Sequence, residues 1–454
     1  MQFTNRVLTR YFSASLFLFF PGLLCAEQSS LNNQIENNSS ELTYQGADLR
    51  FPANFFPILP WDWFDNSNGA NMNNGLASMA ECNFTMSIFI KPELLPESEK
   101  LGLMSIVGSF GEENGIRTNS LTDDQIDSKV KELVEKSKNS TALLGYHIID
   151  EPGASCFPTL AKIVKAFRKY DPGKLAFINL YPNYGTVGAK NNSQLEAATY
   201  MDYLEQYVSI VNPQILCYDN YTVQCSNDLE VKGVATSYFN NLMEVREIAL
   251  KYNIPFWNIV SSNQIRLNVA AIPSPANISL QAYTTLAAGA KGIGWWTYYS
   301  RGEKRYTPVD KFDPNENAFV SHSDRKTLTW RYMQEINRQV SVLGPILLPL
   351  KSTAVYFTND MGIEYTPGKL VRSIRSTSPL MIGEFESNER QHYAMIVNLS
   401  LQKSAKFFLD AQSTDTKIEI VSAEDATLRR FDVKEGEWLV AGQGVLIHLD
   451  SNKQ

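Results

Sequence analysis

Two adjacent acids close an apolar run in "GYHIIDEPGA", residues 145–154: Asp150 and Glu151, followed at once by Pro152 and Gly153. A second run, "QILCYDNY", residues 214–221, ends on Asp219 between Tyr218 and Tyr221. Breaking an acetal between two sugars calls for two carboxyl groups, one to protonate the departing oxygen and one to attack the anomeric carbon or activate water. Glu151 is read as the acid, being the longer side chain and following directly from the run, with Asp150 as its helper or a ligand for a hydroxyl. Asp219 is the best second carboxylate. Flat rings that stack on sugar faces recur at the ends of similar runs: Trp61 and Trp63, Tyr181 two residues after Asn179, Tyr218 and Tyr221, Trp257, and Trp295 with Trp296. Such walls also exclude water, which raises a nearby carboxyl pKa. In a strand His147 faces as Ile149 and Glu151 do, one layer below the acid. Trp295 and Trp296 are neighbours, so one faces inward and the other outward.

Each of these residues also has a plainer reading. One of the paired acids could cap the helix in "FPTLAKIVKAF". Asp219 could be the turn residue of a "DN" pair, and His147 a hydrogen-bonded core residue. Glu303, in "SRGEKRY", reads as solvated.

The elements that must position these groups are legible as alternation. Strand-like runs occur at 56–64, 82–90, 102–110, 142–150, 174–181, 214–221, 254–262 and 291–299. Amphipathic segments lie between them, one with Ile126, Val130, Leu133 and Val134 on a face, another with Leu160, Ile163, Val164 and Phe167, a third with Phe239, Leu242, Val245 and Ala249. Eight apolar strands with helical crossovers predict an α/β fold, a (β/α)8 TIM barrel, whose sites form at the C-terminal strand ends. No Gly-rich phosphate turn follows the first strand, which argues against an open dinucleotide-binding sheet. Strands four and six are two apart, about 9–10 Å from the interstrand spacing, which leaves both retaining and inverting chemistry open. From residue 346 short strands separated by polar turns predict a small all-β sandwich. The expected organisation is a signal peptide at 1–26, a flexible polar leader at 27–48, the barrel at 49–345 and the β-sandwich at 346–454.

Composition narrows the partners. The chain of 454 residues is 44% hydrophobic and 20% charged, the balance of a globular protein, and 11% aromatic. A formal charge of −7 with no basic run argues against nucleic acid. The four histidines form no metal-ligand spacing with cysteines, so neither metal nor cofactor is expected. Carbohydrate is the expected partner; the motifs leave oligomeric state open. Arg6 and Arg10 precede the apolar "FSASLFLFFPGLLCA", too short to span a bilayer, so export to a secreted or periplasmic location is expected. A lipid anchor on Cys25 is disfavoured by the bulk of Leu24. Export permits disulfides among Cys82, Cys156, Cys217 and Cys225. A Cys217–Cys225 pair across one loop and four free buried thiols stand level.

The strings "GYHIIDEP", "INLYPNYG", "CYDNY", "PFWNIV" and "LAAGAKGIGWWTYY" resemble the clan A glycoside hydrolases, in particular beta-galactosidase-like barrels with a C-terminal β-domain. The resemblance spans most of residues 50–350. It implies that Glu151, at the end of strand four, is the acid/base, with Asp150 where that clan usually has Asn. The clan's nucleophilic Glu at the end of strand seven has no counterpart in "IPFWNIVSSN", so Asp219 is inferred from position alone. The adjacent Asp-Glu also resembles hexosaminidases in which the substrate's acetamide is the nucleophile and the Asp holds it. A sugar-binding barrel without catalysis is the third reading.

Overall fold

Eight apolar runs become eight parallel strands. The computed structural model describes residues 42–43, 50–52, 55–62, 72–108, 110–111, 113–225, 236–263, 274–298, 326–365 and 368–451. The signal segment, the leader through residue 41, Trp63, Tyr299 and Glu303 lie outside them. A two-stranded antiparallel ribbon, β1 (Leu42–Thr43) and β2 (Arg50–Phe51), comes first, so Leu42 and Thr43 are paired within the stretch read as leader. The barrel strands are β3 (Ile58–Trp61), β4 (Met86–Ile90), β5 (Met104–Val107), β6 (Leu143–Asp150), β7 (Leu175–Leu180), β8 (Leu216–Asp219), β9 (Phe256–Ser261) and β10 (Ile293–Trp296). They follow the order β3-β10-β9-β8-β7-β6-β5-β4. Thr85 joins β4 back to β3, its N–H donating to Ile58 O (3.2 Å) and its Oγ1 accepting from Ile58 N–H (2.8 Å).

Almost every strand residue is buried because both faces are covered. One face fills the lumen with Leu59, Met86, Phe89, Ile106, Phe177, Cys217, Trp257 and Ile259. The other packs on the crossover helices. Helix α1 (Asp123–Ser137) starts at a capping box between Thr122 and Gln125 and buries Ile126, Val130 and Val134. Helix α2 (Phe157–Tyr170) buries Leu160, Ile163, Val164 and Phe167, and α3 (Thr236–Tyr252) buries Phe239, Leu242, Val245 and Ala249, the faces expected from periodicity. Each such side chain contributes about 1.5–3 kcal/mol when fully buried.

Helices α4 (Pro275–Ala287) and α5 (Leu328–Leu347) flank the last barrel strand, and shorter helices such as Met72–Glu81 and Tyr200–Gln206 lie between earlier strands. The β-domain follows as β11 (Lys351–Phe357), β12 (Val371–Ser376), β13 (Leu380–Glu386), β14 (His392–Asn398), β15 (Ala405–Ala411), β16 (Thr416–Val421), β17 (Leu428–Arg430), β18 (Glu437–Leu439) and β19 (Gly444–Ser451). A six-stranded sheet, β11-β13-β14-β19-β16-β17, and a three-stranded sheet, β12-β15-β18, enclose a core that includes Ile382, Ile396, Phe407 and Leu409. The six-stranded sheet lies directly on α4: a Cβ at Gly383 would fall 1.9 Å from Ala287 O, so only glycine permits this approach.

The structure corrects the Cys217–Cys225 expectation. Cys217 alternates into the lumen among Phe177, Trp257 and Ile259 and is a free thiol, as are the buried Cys82 and Cys156.

Candidate active site

Strand β6 stops alternating before its end. Its pairing with β7 shifts between His147 and Ile149, a β-bulge that leaves Ile148 and Ile149 both in the outer core. Asp150 thereby returns to the inner side, where its Oδ1 accepts from Asn179 Nδ2 at 3.0 Å. The period-two expectation that grouped His147, Ile149 and Glu151 is corrected by this extra residue. Glu151 follows with φ +46°, a left-handed conformation that disfavours a side chain by about 1–2 kcal/mol. Its N–H donates to Asn179 O at 2.9 Å. Arg117 fastens the same corner, donating from Nη2 to Asp150 O (2.8 Å) and from Nη1 to Glu151 O (3.2 Å). Helix α2 has no side-chain N-cap, so neither acid serves that purpose.

Asp219 ends β8 and its Oδ1 accepts from the same Asn179 Nδ2, at 3.1 Å. One amide therefore bridges two carboxylates whose bonded oxygens are no farther apart than two hydrogen-bond lengths, about 6 Å. Tyr221 also hydrogen-bonds Asp219, and its ring stacks on Trp296 with centroids 5.1 Å apart. Asp219 is only 3% exposed and belongs to the strand; the turn residue is Asn220, whose Oδ1 accepts from Thr222 N–H at 3.0 Å.

Burial and mutual repulsion set the protonation of this trio. Burial does most to hold the Glu151 carboxyl well above the usual range, and the charges of Asp219 and Asp150 add to it. Asp219 is raised by burial and by the charge of Asp150, against the hydrogen bonds from Tyr221 and Asn179. Asp150 is pushed up to about 6, again mainly by burial. Arg117 opposes the rise at both Asp150 and Glu151. Groups this close titrate as a set, and the set keeps a proton at neutral pH.

Tyr181 sits half-buried at the rim, its hydroxyl pKa raised by burial and by the charges of Glu151, Asp150 and Asp219. Trp296 is the inward member of its pair, while Trp295 points outward and donates from Nε1 to Asn337 Oδ1 at 3.2 Å. Tyr218 also points outward into the helix-side core, so it does not join the site. Trp61 and His147 lie in the lumen floor, with ring centroids 6.2 Å apart, and Phe89 packs edge-on against both. Burial pulls His147 down to about 3, so it is neutral at physiological pH. Trp257 lies deeper still, level with Cys217 rather than Asp219, between Phe177 and Phe51. The structure thus gathers Asp150, Glu151, Asn179, Tyr181, Asp219, Tyr221 and Trp296, and leaves Tyr218, Trp257 and Trp295 away from the rim.

The end of β9 carries Ser261, Ser262 and Asn263, with no carboxylate. Ser261 N–H donates to Gln281 Oε1 (3.0 Å) and Ser262 Oγ to Thr297 O (3.2 Å). Arg117 is the site residue that sequence reasoning missed; its partners are backbone carbonyls, which leave no pattern in "ENGIRTNS". Among the described residues no group of three or more His, Cys, Asp or Glu is arranged to hold a metal ion. Among them, too, no helix is long and apolar enough to cross a membrane.

No protein-family model matches the chain, and no curated protein is similar to it in sequence. Solved structures are similar in fold. A structure described as a glycoside hydrolase shares 11% identity, with a TM-score of 0.54 over 92% of this chain and 98% of the other. A glycoside hydrolase family 5 protein from Bacteroides vulgatus shares 11% identity, with a TM-score of 0.52 over 91% and 94%. A beta-galactosidase from the psychrophilic Marinomonas ef1 aligns over 66% of this chain and 62% of its own length, at 9% identity and a TM-score of 0.47. The chain thus spans less than two thirds of that protein, and about half of the Bifidobacterium dentium beta-glucuronidase (48%). The two fuller matches share the whole arrangement, a TIM barrel followed by a β-domain.

Proposed function

We propose that the chain is an exported glycoside hydrolase in which Glu151 protonates the leaving glycosidic oxygen and Asp219 is the second carboxylate. The observation that carries this reading is the single Asn179 amide holding Asp150 and Asp219 together beside Glu151. Two negative charges and a dry floor keep a proton on Glu151, the state a general acid must start from. At Asp219 the hydrogen bonds from Tyr221 and Asn179 favour the charged form against the burial that raises it. Trp296, backed by Tyr221, offers a ring on which a sugar can stack. The fold neighbours that cover 91% and 92% of the chain support the substrate class, and the basic-then-apolar N-terminus supports export.

A second reading is favoured by the carboxylate-free end of β9. In it the substrate's own acetamide attacks the anomeric carbon, Asp150 orients it and Glu151 remains the proton donor. Turnover of an aryl-glycoside panel by wild type, Glu151→Gln and Asp219→Asn separates the possibilities. The two-carboxylate reading expects Asp219→Asn to fail throughout, with azide restoring it on an activated substrate, and Glu151→Gln to fail where the leaving group is poor. Confinement of activity to N-acetylated sugars, with Asp219→Asn still active, selects the acetamide route. A wild type that binds oligosaccharides and cleaves none of the panel overturns both.

A further inference from the structure

The outer face of the three-stranded sheet β12-β15-β18 is an aromatic strip carrying two cations. Its inner face supplies Phe407, Leu409 and Leu439 to the sandwich core, so by alternation Lys406, Phe408 and Trp438 face outward. Trp438 is 58% exposed. Lys406 pairs in register with Trp438, and Arg375 with Phe408. The Lys406 ammonium lies 5.4 Å from the Phe408 ring and 5.9 Å from the Trp438 ring, and the Arg375 guanidinium lies 5.1 Å from Phe408. Neither cation is in an ion pair among the described residues, whereas neighbouring Arg372 pairs with Asp410 (3.8 Å) and Arg429 with Glu437. Gly436 backs the strip: a Cβ there would meet the Phe408 ring edge at 3.0 and 3.1 Å.

We propose that this strip is a second glycan-binding surface, separate from the barrel site, which takes an acidic polysaccharide chain. The exposed Trp438 ring provides a stacking face for a sugar ring, beside the half-buried Phe408 that carries both cations. Arg375 and Lys406 supply positive charge for uronate carboxylates. The choice of a glycan rests on the glycosidase reading, but binding here requires no turnover.

The test uses the full chain carrying Glu151→Gln, by affinity electrophoresis in gels containing polygalacturonate or, separately, neutral xylan. Retardation by polygalacturonate that weakens with added salt is expected, with apparent affinity falling about tenfold for Trp438→Ala and for Arg375→Ala/Lys406→Ala. Circular dichroism confirms that these surface variants fold. Equal retardation of parent and variants, or retardation by xylan alone, overturns the proposal. So do self-association in sedimentation that Trp438→Ala abolishes without polysaccharide binding, and preferential binding of single-stranded DNA. Failure of the glycosidase reading would appear instead as no turnover by the wild type, with this retardation unchanged.

Discussion

The same strands build two unlike layers in the barrel. The floor, formed by Trp61, Phe89, His147 and Phe177, is dry, aromatic and neutral. Just above it, Asp150 and Asp219 are tied together through the Asn179 amide nitrogen, with Glu151 at the opening. The rim alone would be a solvated acidic patch with ordinary pKa values. The floor removes water from beneath it, and this is why burial is the leading cause of the rise at all three acids. Repulsion then concentrates the remaining proton. The layers divide the work: one makes the site dry, and the other holds the charge that the dryness perturbs.

The largest effect should come from removing the proton itself. Glu151→Gln keeps the shape and loses the acid, so kcat/KM on a substrate with a poor leaving group should fall about 10²–10⁴-fold. An activated aryl glycoside should lose much less, since its leaving group needs little help. Equal loss on both substrates would assign Glu151 some other task.

Asp219→Asn removes one of the two charges that lift Glu151, so the alkaline limb of the pH profile of its residual activity should move to lower pH. It should also stabilise the fold at high pH. Unfolded Asp219 titrates near 3.8, whereas its folded pKa is raised, so the native state holds a proton that the unfolded chain releases. Stability associated with Asp219 is therefore present at low pH and is lost as pH rises through the folded value. Thermal melts should show Asp219→Asn more stable than wild type at pH 8, by on the order of 2 kcal/mol, and nearly equal to it at pH 3. Destabilisation at pH 8 would mean that the carboxylate is worth more as a hydrogen-bond acceptor than its buried charge costs.

Arg117→Met tests the cation that opposes this charge. Its loss should raise the Glu151 pKa further and move the alkaline limb upward, opposite to Asp219→Asn. Release of the two carbonyls should also let the left-handed corner relax, reducing kcat about tenfold. A fall in activity with an unmoved limb would leave Arg117 a structural clamp only.

Much of this contrast is legible in the sequence, and the exceptions have physical causes. Alternating apolar runs and helical faces predict the barrel because burial on both sides of a strand leaves continuous hydrophobic text. The acids stand out because charge is rare at the end of such text. The bulge at His147–Ile149 is invisible, since one extra residue in the pairing changes no residue type. It decides that Asp150, and not Ile149, faces inward. The sequence shows that one of Trp295 and Trp296 is inward, but the choice depends on register with β3 and β9. Cys217 appears as a loop partner for Cys225 until its strand is seen to turn it into the lumen.

The smallest effect should come from the floor. His147 is the one ionisable floor residue, and burial keeps it neutral by pulling it to about 3. His147→Phe completes the aromatic layer without changing charge at any pH above about 5. Some overpacking is expected, costing about 1–3 kcal/mol of stability, because the ring already touches Trp61, Phe89 and Phe177. Both limbs of the pH–rate profile should stay in place, with kcat/KM within about threefold of wild type. A shifted limb would show that His147 exchanges a proton with the carboxylates above it, and the division between a dry floor and a charged rim would then fail at the one residue capable of carrying charge between them.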